Sequence, residues 1–288
     1  MLAPYATSEY GTLRRVAMRY AGNFTRPLEG PGVHPVLARQ QTTSTWAPYD
    51  TARVHTQQNA LITLLRRHGA EVVLLDAAPG CSAQHYPRDL GFVIDDVLFL
   101  ARLNSAHRLP EAAALTRLAS AMPKVARLPE GTIEGGDVML HDGSVLVGLS
   151  EETSPAGAEA LQWALSQLCI DREVIPVRFA VEGIVHLDDH FAIVAPRTAL
   201  IHRAVFLPAQ VRWFEQHFEL IDITDDEALA VHGNVLAIAP RAVVVARGSD
   251  RIARQLAARD IEVLAVDYSE VTKLPGALRC TTLPLLRS

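Results

Sequence analysis

The feature that most constrains this chain is a unit that recurs along it. Two short runs rich in β-branched residues flank a tight turn and are followed by a helical stretch and a further apolar run. The hairpin half of the unit reads GFVIDDVLFLAR from Gly91 to Arg102 and DVMLHDGSVLVG from Asp137 to Gly148. It reads HFAIVAPRTALIH from His190 to His202 and NVLAIAPRAVVVAR from Asn234 to Arg247. The turns fall at Asp95-Asp96, Asp142-Gly143, Pro196-Arg197 and Pro240-Arg241, and Asp-Gly suits a hairpin because both residues tolerate positive φ. Starts about 45 to 55 residues apart leave room for a hairpin, a helix and a return strand, one ββαβ unit per period.

The intervening segments fit this scheme. QQNALITLLRRH, from Gln57 to His68, places Ala60, Leu61, Leu64 and Leu65 on one helical face before Gly69 ends it. Ala70 to Leu75 then reads as a strand. Pro155 to Leu168 reads as a helix followed by the strand Val174-Ile175-Pro176-Val177, and Arg251 to Arg259 as a helix followed by a strand from Ile261 to Val266. A first unit uses Leu13 to Tyr20 as its strand, and its long connection from Asn23 to Trp46 is expected to act as a lid. Five such units around an axis make a five-bladed α/β propeller, and repetition of this kind protects sheet edges. With no linker to divide it, residues 1–288 are expected to form a single catalytic domain.

Composition narrows the function classes. At 49% hydrophobic and 20% charged over 288 residues, the chain can bury a sizeable core. A net charge of −5 argues against a protein that holds nucleic acid by neutralising phosphates. The opening Met1-Leu2-Ala3-Pro4-Tyr5 shows no basic region leading into an apolar one, and no stretch approaches the roughly 18 apolar residues of a membrane span. A cytoplasmic protein with no membrane partner is expected. Cys81, Cys169 and Cys280 are an odd number at wide spacing, suggesting neither a disulfide framework nor a zinc site.

Four segments bring reactive side chains to the ends of these units: Tyr86-Pro87-Arg88-Asp89, Glu134-Gly135-Gly136-Asp137, His186-Leu187-Asp188-Asp189 and Arg279-Cys280-Thr281-Thr282. Equivalent positions in successive propeller units point toward a common axis, and the residue types suit one task, handling a guanidinium group. That cation presents N–H donors in a planar fork and is gripped best by carboxylates, for which Asp89, Glu134 and Asp188 are available. Its central carbon is a poor electrophile, so hydrolysis is eased by a strong nucleophile and a covalent intermediate. Cys280 as thiolate is that nucleophile, and His186 has the pKa range to protonate a departing nitrogen and then take a proton from water. A metal site built from His85, Asp89, His186, Asp188 and His190 is not expected. On one strand His186 and His190 would lie about 13 Å apart.

EGGD, HLD and a cysteine near the C-terminus, in this order, resemble the guanidino-group-modifying superfamily, whose members include arginine deiminases, agmatine deiminases, amidinotransferases and dimethylarginine dimethylaminohydrolases. PRDLGFVIDDVLFLARLNSAHRLPE, VGLSEETSPAGAEAL and GALRCTTLPL are similar to its characteristic segments, so the resemblance runs from about Ala70 to the C-terminus. It implies a pentein-like fold and needs no cofactor. By position it makes Cys280 the nucleophile, His186 the acid/base, Glu134 the residue that holds and orients the reacting group, Asp89 and Asp188 guanidinium ligands, and Arg108 a ligand for a substrate carboxylate.

Two departures bear on the substrate. The dimethylarginine hydrolases usually have Lys two places after the histidine, whereas Asp188 resembles the deiminases and amidinotransferases. A second carboxylate there favours a terminal nitrogen that still carries hydrogens. Glu152 stands where the family's GLSxRT segment normally carries Arg, which points to a different substrate tail. The expectation is a cysteine hydrolase of linear amidines acting on arginine or an N-substituted, arginine-like small guanidine, with a ureido product plus ammonia or an amine. Amidino transfer to an acceptor amine is the alternative within the enzyme class, and a noncatalytic propeller binding protein the alternative outside it. A homodimer is one admissible assembly.

Overall fold

The computed structural model describes residues 3–22, 50–79, 81, 83–274 and 276–288. The expected lid between Asn23 and Trp46 lies outside the described residues.

Each predicted hairpin is present, and each is completed by a third strand that returns parallel to its second. β3 (Gly91–Ile94) and β4 (Val97–Leu100) pair antiparallel with Gly91 opposite Leu100, and β5 (Val125–Arg127) joins β4 in parallel. The same arrangement holds for β6 (Val138–His141), β7 (Ser144–Gly148) and β8 (Glu173–Val177). It recurs in β9 (Phe191–Ala195), β10 (Thr198–Ile201) and β11 (Glu219–Asp222), and in β12 (Leu236–Ala239), β13 (Ala242–Ala246) and β14 (Glu262–Val266). Asp95 and Asp142 sit at the tips of the first two hairpins with φ of 49° and 48°, the left-handed conformation that a short polar side chain tolerates.

A parallel return needs a crossover, and a helix supplies it in every unit: α1 (Thr51–Arg67), α2 (Ala112–Ala119), α3 (Pro155–Gln167), α4 (Pro208–His217) and α5 (Asp250–Ala257). Local chemistry sets their ends. Asp50 caps α1 by accepting the Arg53 N–H at 3.1 Å, and Ser154 caps α3 by accepting that of Gly157 at 3.1 Å, with Pro155 preset for the first turn.

The first unit departs from the others. β1 (Leu13–Met18) pairs in parallel with β2 (Glu71–Leu74), but its antiparallel partner is β15 (Leu283–Arg287) from the far end of the chain. The two ends of the chain thus share one sheet. Among the described residues each of the five sheets has three strands. Apolar clusters link every sheet to the next around the ring, the last tying the β12–β14 sheet back to that of β1. The architecture is the five-bladed propeller of ββαβ repeats. Strands β3, β6 and β9 are buried along their whole length, whereas the outer β2, β5 and β8 are partly exposed, which is why the inner strands read as unbroken apolar runs. Among the described residues no helix is long and apolar enough to cross a membrane.

Candidate active site

The reactive side chains occupy equivalent places, just ahead of the inner strand of each blade. A 3₁₀ turn at Pro87–Leu90 carries Asp89 into β3, one at Gly135–Asp137 follows Glu134 and enters β6, and one at Leu187–Asp189 follows His186 and enters β9. Asn234 stands two residues ahead of β12, and Cys280 three ahead of β15. One end of the propeller therefore collects a residue from all five blades.

The paired glycines after Glu134 make this convergence sterically feasible. A methyl group at Gly135 would lie 2.1 Å from the carbonyl oxygen of Arg88 and 2.5 Å from that of Gly91, so only glycine lets the turn ahead of β6 abut the one ahead of β3. A methyl group at Gly136 would come within 2.6 Å of the His186 ring.

Asp89, Glu134, His186 and Arg108 form one buried network. The His186 Nε2 lies 3.1 Å from Glu134 Oε2, and its Nδ1 is 3.8 Å from Asp89 Oδ1. Burial alone would push the imidazole pKa down, but Asp89, Glu134 and Asp137 hold it well above the usual histidine range, which favours the protonated ring. Asp137 fixes its turn by accepting the Leu187 N–H at 2.8 Å and the Ser150 hydroxyl at 2.7 Å. Arg108, from the turn Ala106–Glu111, donates to Asp89 Oδ2 at 2.7 Å and to Glu111 Oε2 at 2.9 Å, and lies 3.5 Å from Glu134 Oε2. Its guanidinium is thus engaged by three of the protein's own carboxylates. To reach a substrate carboxylate it would have to leave them.

Cys280, Asp188, Asp189, Asn234 and Arg279 form the second network. The sulfur lies 3.8 and 3.7 Å from the two oxygens of Asp188, whose Oδ2 also accepts from Arg279 at 2.8 Å. Burial, with Asp188, Asp189 and Asp89 adding to it, raises the thiol pKa well above its ordinary range. Burial raises that of Asp188 as well, against the pull of Arg279 and His186, and brings Asp189 up to about 7. His186 and Asp188 share one turn, and the Arg88 N–H donates to the Cys280 carbonyl at 3.2 Å, which straps the cysteine segment to the Asp89 turn.

All six residues expected at the site from sequence are buried, divided between two networks that share these turns. His186 and His190 do not lie on one strand: the 3₁₀ turn intervenes, and His190 instead stacks on His202. Among the described residues, those spaced like ligand sets are Asp89 with Glu134 and His186, and Asp188 with Asp189 and Cys280; each set already faces an arginine, Arg108 or Arg279. Glu152 is buried beside the Arg108 turn, where its carboxylate accepts from the Ser105 hydroxyl at 3.1 Å. Sequence reasoning missed Glu111 and Asn234. The signal for Asn234 was positional: it opens the fourth repeat where Asp89, Glu134 and His186 open the others.

Chemically, the site suits a planar cation. Asp89 Oδ1 and Glu134 Oε1 are buried carboxylate oxygens that accept no hydrogen bond among the described residues, which is costly unless a donor arrives.

A family model described as N,N dimethylarginine dimethylhydrolase, eukaryotic, matches residues 39–287. An uncharacterized protein of Bacillus subtilis, YkgA, is 30% identical over 281 residues, covering 97% of this chain and 94% of its own length. The N(G),N(G)-dimethylarginine dimethylaminohydrolase of Mycobacterium tuberculosis is 28% identical over 247 residues, covering 83% of this chain and 78% of its own. Among the solved structures that share the fold are an amidinotransferase of saxitoxin biosynthesis from Microseira wollei and a cysteine-to-serine mutant of the dimethylarginine dimethylaminohydrolase of Pseudomonas aeruginosa complexed with citrulline. The first has a TM-score of 0.79 at 16% identity over 99% of this chain and 97% of that one. The second has 0.77 at 22% identity over 94% and 99%.

Proposed function

Because this chain belongs to the N,N dimethylarginine dimethylhydrolase family, and with it to the guanidino-modifying enzymes, we propose that it is a hydrolase that cleaves a guanidine C–N bond of arginine or an N-substituted, arginine-like substrate. The observation that carries the proposal is the pair of buried acceptors that receive no hydrogen bond among the described residues, Asp89 Oδ1 and Glu134 Oε1. They lie in a network joined through the His186–Asp188 turn to a buried thiol. A guanidinium supplies the missing donors and the compensating charge.

In this reading the substrate cation lies against Asp89, Glu134 and Asp188. Its positive charge offsets the carboxylates that keep the Cys280 thiol protonated, so when substrate is in place the thiol gives its proton to solvent and the thiolate forms. Sulfur adds to the central carbon to give a tetrahedral adduct. His186 then passes its proton to the departing nitrogen, which leaves as ammonia or an amine, and an S-amidino enzyme remains. The neutral imidazole takes a proton from water as the oxygen attacks the same carbon. Collapse of that adduct expels the sulfur, which takes the proton of the adduct's hydroxyl as the carbonyl forms, and releases the ureido product. Arg108 holds Asp89 and Glu134 in register, and Asp188 favours a terminal nitrogen that keeps a hydrogen to donate.

The test is a panel of arginine, its N-methylated and N-hydroxylated derivatives, agmatine and guanidino acids, with product mass recorded with and without an added amine. A ureido product from at least one member is expected. Transfer of the amidino group to the amine would mark an amidinotransferase instead. Cys280→Ala is expected to abolish turnover of every member while leaving the thermal midpoint near that of the parent; unchanged turnover would remove the nucleophile from the scheme.

A further inference from the structure

Asn234 takes no part in the reaction scheme, yet both ends of its side-chain amide engage the cysteine segment. The residue is buried, with 1% of its surface exposed. Its Oδ1 accepts the backbone N–H of Arg279 at 2.8 Å and that of Cys280 at 3.3 Å. Two donors face that atom, so it must be the carbonyl oxygen, and the orientation of the amide follows. The NH₂ edge then points at Cys280 Sγ at 3.0 Å, Asp189 Oδ1 at 3.2 Å and the Asp188 carbonyl at 3.3 Å.

From this geometry we infer that Asn234 is a positioning residue for the nucleophile, holding the cysteine backbone through its oxygen and stabilising the ionised sulfur through its nitrogen. The inference rests on the reading of Cys280 as the nucleophile. A thiol is a weak acceptor and a thiolate a strong one, so this contact gains strength when the proton leaves and so favours the thiolate. The other groups around the sulfur make such a donor necessary. Asp188 and Asp189 approach it from the turn ahead of β9 and Asp89 from the turn ahead of β3, all three disfavouring the anion. The guanidinium of Arg279, on the adjoining residue, is turned to Asp188 and Glu9, and the cation of His186 faces Glu134 and Asp89. Among the described residues, Asn234 is the N–H donor to this sulfur.

The test needs no substrate. The rate of iodoacetamide alkylation at Cys280, resolved from Cys81 and Cys169 by peptide mass, is followed against pH in the parent protein and in Asn234→Ala. The apparent pKa of the thiol is expected to rise by about one unit in the variant, a tenfold loss of thiolate at a given pH. On any guanidine the parent turns over, kcat is expected to fall by about 10- to 100-fold with KM changed far less. Superimposed alkylation profiles overturn the inference. In the unmutated protein, the Asn234 side-chain amide resonance is expected to move with pH along the alkylation curve and to lose that transition in Cys280→Ser. A resonance that ignores the titration overturns the inference without relying on the folding of Asn234→Ala. Altered profiles in a protein that processes no guanidine would sink the proposed function and leave the role of Asn234 standing.

Discussion

Gly136→Ala isolates the placement of His186, the proposed general acid. The added methyl carbon would lie 2.6 Å from the nearest ring carbon of His186, 2.9 Å from Nδ1 and 3.0 Å from the histidine Cβ, whereas ordinary contact begins near 3.4 Å. The ring must therefore retreat by about 0.8 Å, the difference between 3.4 and 2.6 Å. The Nε2 contact to Glu134, 3.1 Å in the parent, cannot survive such a shift as a well-formed hydrogen bond. A misplacement of about 1 Å costs on the order of 100-fold in rate, or about 2.7 kcal/mol of transition-state stabilisation. Overpacking at one buried contact costs about 1–3 kcal/mol of folding stability, which a chain of this size can absorb. The assay pairs single-turnover rates on the best guanidine of the panel with a histidine ring NMR titration. The rate is expected to fall by about two orders of magnitude, and the His186 pKa to drop as Glu134 is lost. A variant with parental rate and an unmoved His186 titration would show that the ring has room which these distances deny, and would refute the reasoning.

Other outcomes follow from the same networks. Arg108→Met leaves Asp89, Glu111 and Glu134 buried without their shared counter-cation; stability in urea is expected to fall by about 3–5 kcal/mol, and an unchanged midpoint would show that the ion pairs contribute nothing. Burial raises the Asp137 carboxyl to about 7 despite the opposing pull of His186. A folded value above the unfolded one contributes stability that is fully present below about pH 3.9 and is lost as pH climbs through about 7. The stability of the parent relative to Asp137→Asn is therefore expected to decline from about pH 4 to about pH 8, read from urea denaturation at stepped pH. A flat difference would contradict the raised value.

The sequence by itself determined the blades. Gly91 to Arg102 and Asp137 to Gly148 carry their own turn chemistry and unbroken apolar runs, and these are local properties that survive without tertiary context. The candidate site residues were legible for the same reason: Asp89, Glu134 and His186 each sit at a repeat boundary, and the order of their motifs is a one-dimensional signal. Tertiary structure decided what no local pattern encodes. Leu13 to Met18 finds its antiparallel partner in Leu283–Arg287, a pairing across nearly the whole chain that neither segment announces. The family resemblance implies Arg108 as a substrate ligand; the structure shows its guanidinium against Asp89, Glu111 and Glu134, because three buried carboxylates in one place require a cation. The amide of Asn234 acquires its direction only when the cysteine turn supplies two N–H groups to its oxygen. Hydrogen bonds between distant segments depend on orientation as well as distance, and orientation exists only once the blades have packed.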